Sequence, residues 1–265
     1  MSSLDHRLPA ARSTGLPVGC LLWGAADATT TVSRMVELTA GDPSFREDDG
    51  QADARVAAAL AAYAAGSGSE HAVLNALAAS RLLVPVVAVR TGELSPAGGE
   101  KASEMAMPVI VGADGRRAIP AFTSAQSVQR WQPEARPVPV HASGVWQSAV
   151  QEFCAVIVDI AGPVAVAVEG ARLAALADGA DVPYMHEDPD VWQAVAEAVA
   201  AVAPGARVRF GQAAAGTDLS LELAYDGLLP DGLVNQLAEA VNVRLPGRVR
   251  GGIAIAALPP AERRR

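Results

Sequence analysis

Hydrophobic positions along the chain follow helical spacing in some segments and strand spacing in others. Residues 51–66, QADARVAAALAAYAAG, and 69–81, SEHAVLNALAASR, carry apolar side chains on one helical face, and Gly66 can end the first helix. Residues 82–89, LLVPVVAV, form a continuous apolar run that is typical of a buried strand. Because Pro85 in this run has no backbone N–H, we expect the strand to lie at a sheet edge or beside a bulge.

Two hairpins are predicted farther along the chain. The apolar segments 105–111 and 117–122 flank Asp114-Gly115, a dipeptide that favours a tight turn between two strands. Residues 154–170, CAVIVDIAGPVAVAVEG, contain two apolar runs on either side of Gly162-Pro163. This arrangement predicts a second hairpin.

Helices are predicted between these strands. Thr123 or Ser124 can cap a short helix that ends near Trp131, and Ser143 can open another helix. Five apolar side chains are expected on the inward face of that second helix, namely Val145, Trp146, Ala149, Val150 and Phe153.

The last third of the chain shows a shorter pattern. We expect a helix over 191–202, strands over 207–212 and 218–225, a helix over 233–243 capped at Asp231, and a strand over 253–258. An α-β-β-α-β order is typical of an α+β layer with helices on one face of a sheet. The protein is therefore predicted to be α/β to α+β, with a mixed β-sheet N-terminal domain flanked by helices and a small α-β-β-α-β domain after it.

Polar and turn-rich segments suggest where the domains begin and end. The mixed-sheet domain is expected over 50–178 and the small α+β domain over 190–258, with a polar, acidic, proline-bearing linker over 179–189. Residues 1–49 are expected to be a partly disordered tail or lead-in, and residues 259–265 a basic tail.

Composition narrows the functional classes. A net charge of −8 argues against nucleic-acid binding by the molecule as a whole. Cys20 and Cys154 are far apart, which suits a reducing compartment and excludes a Cys-rich zinc site. Apolar runs stay short of the roughly 18 residues that a membrane span needs, and the first 30 residues are barely apolar enough for a signal peptide. We therefore expect a cytoplasmic protein without membrane contact.

Three segments carry a resemblance to a known family. They are AVLNALAASRLLVPVVAV at 72–89, MPVIVGADGRRAIPAFTS at 107–124 with Trp131, and CAVIVDIAGPVAVAVEG at 154–170. In this order the chain resembles SseB-like proteins, a family named for enhanced serine sensitivity, over roughly 50–178. The composition, rich in Ala, Val and Arg, is typical of an actinobacterial chain. The family has no agreed catalytic activity, so the resemblance implies no catalytic residues.

Three polar residues are candidates for ligand binding. Thr123 and Ser124 stand at a predicted helix start, where free backbone N–H groups favour an anion, although the same residues are the preferred helix caps. Asp159 lies among apolar strand residues and must find a donor or face solvent. A hydrogen bond to the Gly162 turn is the expected solution, with acid–base chemistry as the alternative.

Motifs of catalysis and of cofactor binding are absent from the sequence. It contains no G-x-S-x-G, no G-x-G-x-x-G and no P-loop. The run His186-Glu187-Asp188 with Asp190 has metal-binding side chain types, but adjacent acids on a linker are more typical of a solvated run. We predict no catalytic residue, no metal and no cofactor.

Arginine is concentrated near the C-terminus. Residues 206–265 contain eight Arg and six acidic residues, whereas the whole chain carries a net charge of −8. Candidates for a basic surface that could contact RNA are Arg207, Arg209, Arg244, Arg248 and Arg250. No aromatic platform for stacked bases accompanies these arginines, which weakens this interpretation.

Taken together, the sequence favours a non-catalytic, cytoplasmic protein-interaction or regulatory module with an unidentified protein partner. Exposed sheet edges, including that of the Pro85 strand, are the expected docking surfaces. One alternative is a small-molecule or anion-binding protein, or a weak enzyme, that uses Thr123, Ser124 and Asp159. A second alternative is a factor associated with RNA or the ribosome through the Arg-rich end. The oligomeric state stays open.

Overall fold

The computed structural model describes residues 29–31, 43–88, 105–106, 108–112, 115–212, 217–225, 227 and 229–258. In these residues seven α-helices alternate with mixed sheets, which confirms the predicted α/β class. The described chain separates between Pro183 and Tyr184 into two units. No helix in these ranges is both long and apolar enough to cross a membrane.

Two helices with polar caps follow a short 3-10 turn at Pro43–Phe45 in the N-terminal unit. Helix α1, Ala54–Ala64, starts at Asp53, whose side chain accepts hydrogen bonds from two backbone N–H groups of the first turn. Helix α2, Glu70–Ala78, starts at Ser69, as predicted. Both helices bury their apolar faces in the core of the unit.

A five-stranded sheet runs through this unit. Its spatial order is β1 (Thr29–Thr31), β4 (Val109–Val111), β5 (Arg117–Ala121), β7 (Ala155–Val158) and β8 (Val166–Val168). The β4–β5 and β7–β8 pairs are antiparallel, which confirms both hairpins, whereas β5 and β7 are parallel. Asp114 of the first hairpin turn lies outside the described residues, and Gly115 after it has φ 80°.

The strand that contains Pro85 is central rather than at an edge. It is β2 (Arg81–Ala88), which lies between β3 (Met105–Ala106) and β6 (Arg136–His141) in a three-stranded sheet. On the side facing β3, Leu83 exchanges backbone hydrogen bonds with Phe122, and Val87 pairs with Ala106. Every second residue of a strand points its backbone nitrogen to the same side, so the nitrogen of Pro85 faces the same side as those of Leu83 and Val87. It lies between their two pairings, and the ladder between β2 and β6 therefore loses no hydrogen bond. The expectation of an exposed edge at Pro85 was wrong.

The predicted strand over 105–111 is two strands in two sheets. Strands β3 and β4 are separated around Pro108, which is buried and has no N–H to continue a ladder. Met107 lies outside the described residues. Val109, Ile119 and Phe122, from the two apolar segments, belong to the core, because each is at most 1% exposed.

Three further helices complete the N-terminal unit. They are α3 (Ala125–Trp131), α4 (Ala142–Gln151) and α5 (Gly170–Asp178). Ser124 caps α3, as predicted, whereas α4 starts directly after β6 with His141 at its N-cap and without a side-chain cap. The predicted opening of α4 at Ser143 was therefore late, because β6 continues straight into the helix.

The C-terminal unit has the predicted α-β-β-α-β order. Its elements are α6 (Pro189–Val202), β9 (Arg207–Phe210), β10 (Leu219–Ala224), α7 (Leu233–Arg244) and β11 (Ile253–Ala257). Both helices pack on the buried face of β10, the central strand of the sheet. The N-cap of α7 is Gly232 at φ 77° and not Asp231, since the left-handed entry into this helix suits glycine.

The segment that was predicted to be a polar linker contains a buried carboxylate. Asp188 is 1% exposed, accepts a hydrogen bond from the Asp190 backbone N–H, and caps α6. Its other carboxylate oxygen lies 2.7 Å from Arg248 Nη2. The segment just before α6 is therefore held within the C-terminal unit.

Candidate functional site

The sequence candidates Thr123 and Asp159 meet at the ends of two parallel strands. Thr123 follows β5 and Asp159 follows β7, and parallel pairing brings the carboxyl ends of these strands to one edge of the sheet. Asp159 has φ 53°, a left-handed conformation that Asp tolerates better than most residues. Its backbone N–H donates to Ala121 and its carbonyl accepts from Gly162, so the sharp turn holds it in place.

The carboxylate of Asp159 is bonded to Thr123 and not to the Gly162 turn as expected. The Thr123 backbone N–H donates to Oδ1 at 3.0 Å, and the Thr123 hydroxyl donates to Oδ2 at 2.6 Å. The reason is topological, since the β5–β7 pairing places Thr123 beside Asp159 although 36 positions separate them in sequence. Asp159 is 4% and Thr123 5% exposed.

Burial sets the protonation behaviour of Asp159. Removal from water raises the pKa of its carboxyl above the ordinary range, because the charged form loses solvation. Hydrogen bonds from Thr123 and Ser127 oppose this shift and lower the pKa by a smaller amount. The site is thus a desolvated acid held by neutral donors.

The third candidate, Ser124, serves as a helix cap. Its Oγ accepts from the Ser127 backbone N–H at 3.2 Å and lies 3.0 Å from Ser127 Oγ. Helix α3 has seven residues, and its first turn is satisfied by this cap.

A threonine hydroxyl bonded to a carboxylate has the geometry of a nucleophile and its base. Here both side chains are buried, and their polar atoms bond to each other across the sheet. A cleft of about 400 Å³ in this unit is lined by other residues. The geometry of Thr123, Ser124 and Asp159 is therefore that of an internal tether between two strands.

The arginine candidates do not form one basic surface. Arg248 is 7% exposed and bonded to Asp188, so its prediction as a surface residue was wrong. Arg209 lies on β9 with its Nε 2.5 Å from Glu222 Oε2. Arg244 belongs to α7, in the helical layer, and lies 3.8 Å from Glu197.

The two remaining arginine candidates, Arg207 and Arg250, also lie on different parts of the C-terminal unit. Arg207 is exposed on β9, and Arg250 is half-buried in the loop before β11. Within the part of the chain that the structure describes, no three His, Cys, Asp or Glu side chains are grouped to hold a metal ion.

The most unusual exposed residue is Phe153, which the helical pattern assigned to the core. Phe153 is 94% exposed and has φ 50°. It follows α4 in a left-handed helix end, in which its N–H donates to Val150 and the Cys154 N–H donates to Ala149. The assignment was wrong because α4 ends at Gln151, before the helical spacing reaches residue 153.

The same helix end occurs twice more in this unit, with glycine in each case. Gly66 after α1 has φ 70° and Gly179 after α5 has φ 66°, with the same pair of backbone hydrogen bonds. Glycine is preferred at this position because a Cβ is strained there. One sequence signal could have identified Phe153 as a residue in the left-handed conformation. The helix-to-strand junction QEFCAV at 151–156 contains neither Gly nor Asn.

Phe153 continues an uncharged exposed face of α4. We name this face the α4 surface; it consists of Ser143, Gln147, Val150, Gln151 and Phe153. Val150 is 42% exposed, again against the prediction that it faces the core. Charged side chains are the usual occupants of exposed helix faces, so their absence from this stripe sets it apart.

The 400 Å³ cleft opens at the other end of the α4 surface. Its lining includes Ala79 after α2, Ser143 and Gln147 of α4, and Ala177 and Ala180 at the end of α5. His141 and Asp178 are its titratable members. One helix therefore presents an exposed phenyl ring after its C-terminus and a largely apolar cleft beside its N-terminus.

Comparison with known families agrees with the segments that carried the resemblance. Residues 56–175 match the family model of the SseB protein N-terminal domain. The matched range begins in α1 and ends in α5, so it includes β5, β7 and the α4 surface. No curated protein and no solved structure matches the chain significantly. Residues 56–175 therefore form a domain of the SseB protein N-terminal domain family.

Proposed function

We propose that the protein is a non-catalytic, cytoplasmic protein-interaction module that docks a protein partner on the α4 surface. The observation that carries this proposal is Phe153, a phenylalanine 94% exposed in a left-handed conformation. A residue that is unfavourable for the folded chain by itself is expected where binding uses it.

Two free-energy terms oppose the conformation and the exposure of Phe153 in the free chain. A non-glycine residue in the left-handed region costs roughly 1–2 kcal/mol, which Gly66 and Gly179 avoid at the equivalent positions. Full burial of a phenylalanine side chain is worth about 1.5–3 kcal/mol, and the exposed ring forgoes it. A partner that docks over the ring would recover this free energy of burial. Aromatic side chains are typical anchors of such interfaces.

The buried polar groups support a non-catalytic role. The two oxygens of Asp159 accept from the N–H and the hydroxyl of Thr123 within the fold. The cleft is lined mainly by alanines and by uncharged polar side chains. Catalysis requires reactive groups that a substrate can reach, and the buried tether does not offer them.

The test is affinity capture from the native host with a matched pair of variants. Phe153→Asn removes the ring and keeps a residue that tolerates positive φ. Val243→Asn is the control, because Val243 is a 63% exposed apolar residue of the C-terminal unit. Bound proteins are identified by mass spectrometry at low and high salt.

We expect a protein partner that the wild type and V243N retain and that F153N loses. Retention should persist at high salt, since apolar contacts are not screened. Identical sets of bound proteins for wild type and F153N would contradict the proposal. A set of RNA-associated proteins that salt removes equally from all three chains would favour the arginine-based alternative instead.

A further inference from the structure

An exposed ring and a cleft lie at opposite ends of the α4 surface, and the inference drawn from them rests on the function proposed above. Phe153 lies after the C-terminus of α4, and the cleft lies beside its N-terminus. Both are joined by the uncharged side chains Gln147 and Val150. We infer that the partner on this surface is a second copy of the chain, with Phe153 of each copy seated in the cleft of the other.

The cleft has the size and the chemistry to receive a phenyl ring. An apolar cavity of about 150 Å³ is enough to bind benzene, and this cleft has about 400 Å³. Its lining includes Ala78, Ala142 and Leu176, which offer apolar contacts to a ring. The backbone at Gly179 leaves open space where a Cβ would stand, so the rim at the end of α5 is not crowded.

Helix geometry makes the contact reciprocal. Helix α4 has ten residues and is therefore about 15 Å long. If two copies lie with their α4 helices antiparallel, a two-fold axis beside Gln147 places residue 153 of one copy near His141 and Ala142 of the other, and both of these residues line the cleft. The same operation places the second Phe153 on the first cleft. Such a contact closes on itself and gives a dimer instead of a fibre.

Charge is consistent with a self-complementary contact. An antiparallel pairing brings each part of the α4 surface against the same surface, so any charge near the axis would face its own copy. From Ala142 to Gln151 helix α4 contains no charged residue. Glu152, which follows the helix, forms an ion pair with Arg117 at 3.7 Å within its own chain, and Asp178 is the acid that lines the cleft. Depletion of charge at the centre is a property of protein interfaces.

The mass of the full chain in solution gives the first test. Sedimentation velocity over a range of concentrations should show twice the 27.1 kDa of the single chain. Phe153→Asn removes the ring. Ala180→Glu puts a charged side chain at the cleft from an exposed position, so it leaves the core of the unit intact. Each variant is expected to weaken dimerisation by about 30-fold or more for each anchor lost, the size of an interface hot spot.

Mixing the two variants tests the pairing of ring and cleft directly. A heterodimer of F153N with A180E keeps one intact contact, because the A180E chain supplies the ring and the F153N chain supplies the cleft. Each homodimer of a variant keeps none. We therefore expect the mixture to associate more tightly than either variant alone. Val243→Asn is the control that leaves dimerisation unchanged.

Three results would overturn the inference. They are a monomer at all concentrations, a dimer that neither variant weakens, and a mixture that associates no better than its components. Circular dichroism of each variant excludes unfolding as the cause. If the chain is monomeric but F153N still loses a captured protein, the docking function stands and the occupant is a different protein. If F153N changes neither dimerisation nor capture, both proposals fail.

Discussion

The bond between Thr123 and Asp159 gives the sharpest stability prediction. Thr123→Val keeps the branched shape and the backbone N–H but removes the hydroxyl that lies 2.6 Å from Asp159 Oδ2. A hydrogen bond to a charged group contributes about 1.5–3 kcal/mol. Because both residues are at most 5% exposed, water does not replace the lost donor. We expect T123V to lower the free energy of unfolding of the N-terminal unit by about this amount at neutral pH.

Asp159→Asn isolates the charge in this bond. Asn tolerates the φ of 53°, its carbonyl can accept from the Thr123 N–H, and its amide can donate to the Thr123 hydroxyl. In this background the hydroxyl takes part in a bond between neutral groups, which is worth about 1 kcal/mol. A double-mutant cycle of T123V and D159N should therefore give a coupling energy of roughly 0.5–2 kcal/mol.

The same variant tests the raised pKa of Asp159. A carboxyl whose pKa is higher in the folded than in the unfolded state binds protons more tightly when folded. Its stabilising contribution is fully present below the unfolded pKa and is lost as the pH rises through the folded pKa. D159N lacks this term, so its stability relative to the wild type should increase as the pH rises from the ordinary carboxyl range.

Urea unfolding of the wild type, T123V, D159N and the double variant at several pH values measures both the coupling energy and the pH dependence of stability. Hydrogen exchange of peptides from β5 and β7 assigns the change to the N-terminal unit. Additive effects within about 0.3–0.5 kcal/mol would refute the shared bond. Parallel pH curves for wild type and D159N would refute the raised pKa.

Other contacts give predictions that the same unfolding assay checks. Arg248→Ala leaves Asp188 charged and buried, so the C-terminal unit should lose about 3–5 kcal/mol, and a loss below 1 kcal/mol would contradict this. Arg172 Nη1 lies 2.5 Å from Glu70 Oε1 in the N-terminal unit, so Arg172→Met alone should cost a similar amount, whereas adding Glu70→Leu should restore most of it. Ser124→Ala should cost about 1 kcal/mol by removing the α3 cap, and Ser124→Asn should restore most of that; equal stabilities of the two variants would refute the cap.

Local sequence was enough for most of the elements and for the family. Apolar spacing predicted α1 and α2, Ser69 and Ser124 were recognised as caps, and the β4–β5 and β7–β8 hairpins follow from their turn residues. These features depend on residues within a few positions of one another. Their side chains and turn geometries favour one local conformation over others, so a single sequence carries the information.

The position of Pro85 and the role of Asp159 required the tertiary structure. Pro85 is tolerated in a central strand because Leu83 and Val87 pair with different segments on either side of it. Asp159 is satisfied by Thr123 because a parallel pairing brings two strand ends together. Neither fact follows from neighbours in sequence, because each depends on which distant strands become adjacent.

The sequence by itself thus determined the class of fold, the family of the N-terminal domain and most helix and strand positions. Only the tertiary structure decided which polar groups are buried and which apolar group is exposed. Phe153 has the spacing of a core residue, yet the turn into β7 points it outward. Arginine is usually exposed, yet Arg248 is buried, where the carboxylate of Asp188 neutralises its charge. Burial depends on the packing of distant elements, and local patterns report only the average preference of each residue type.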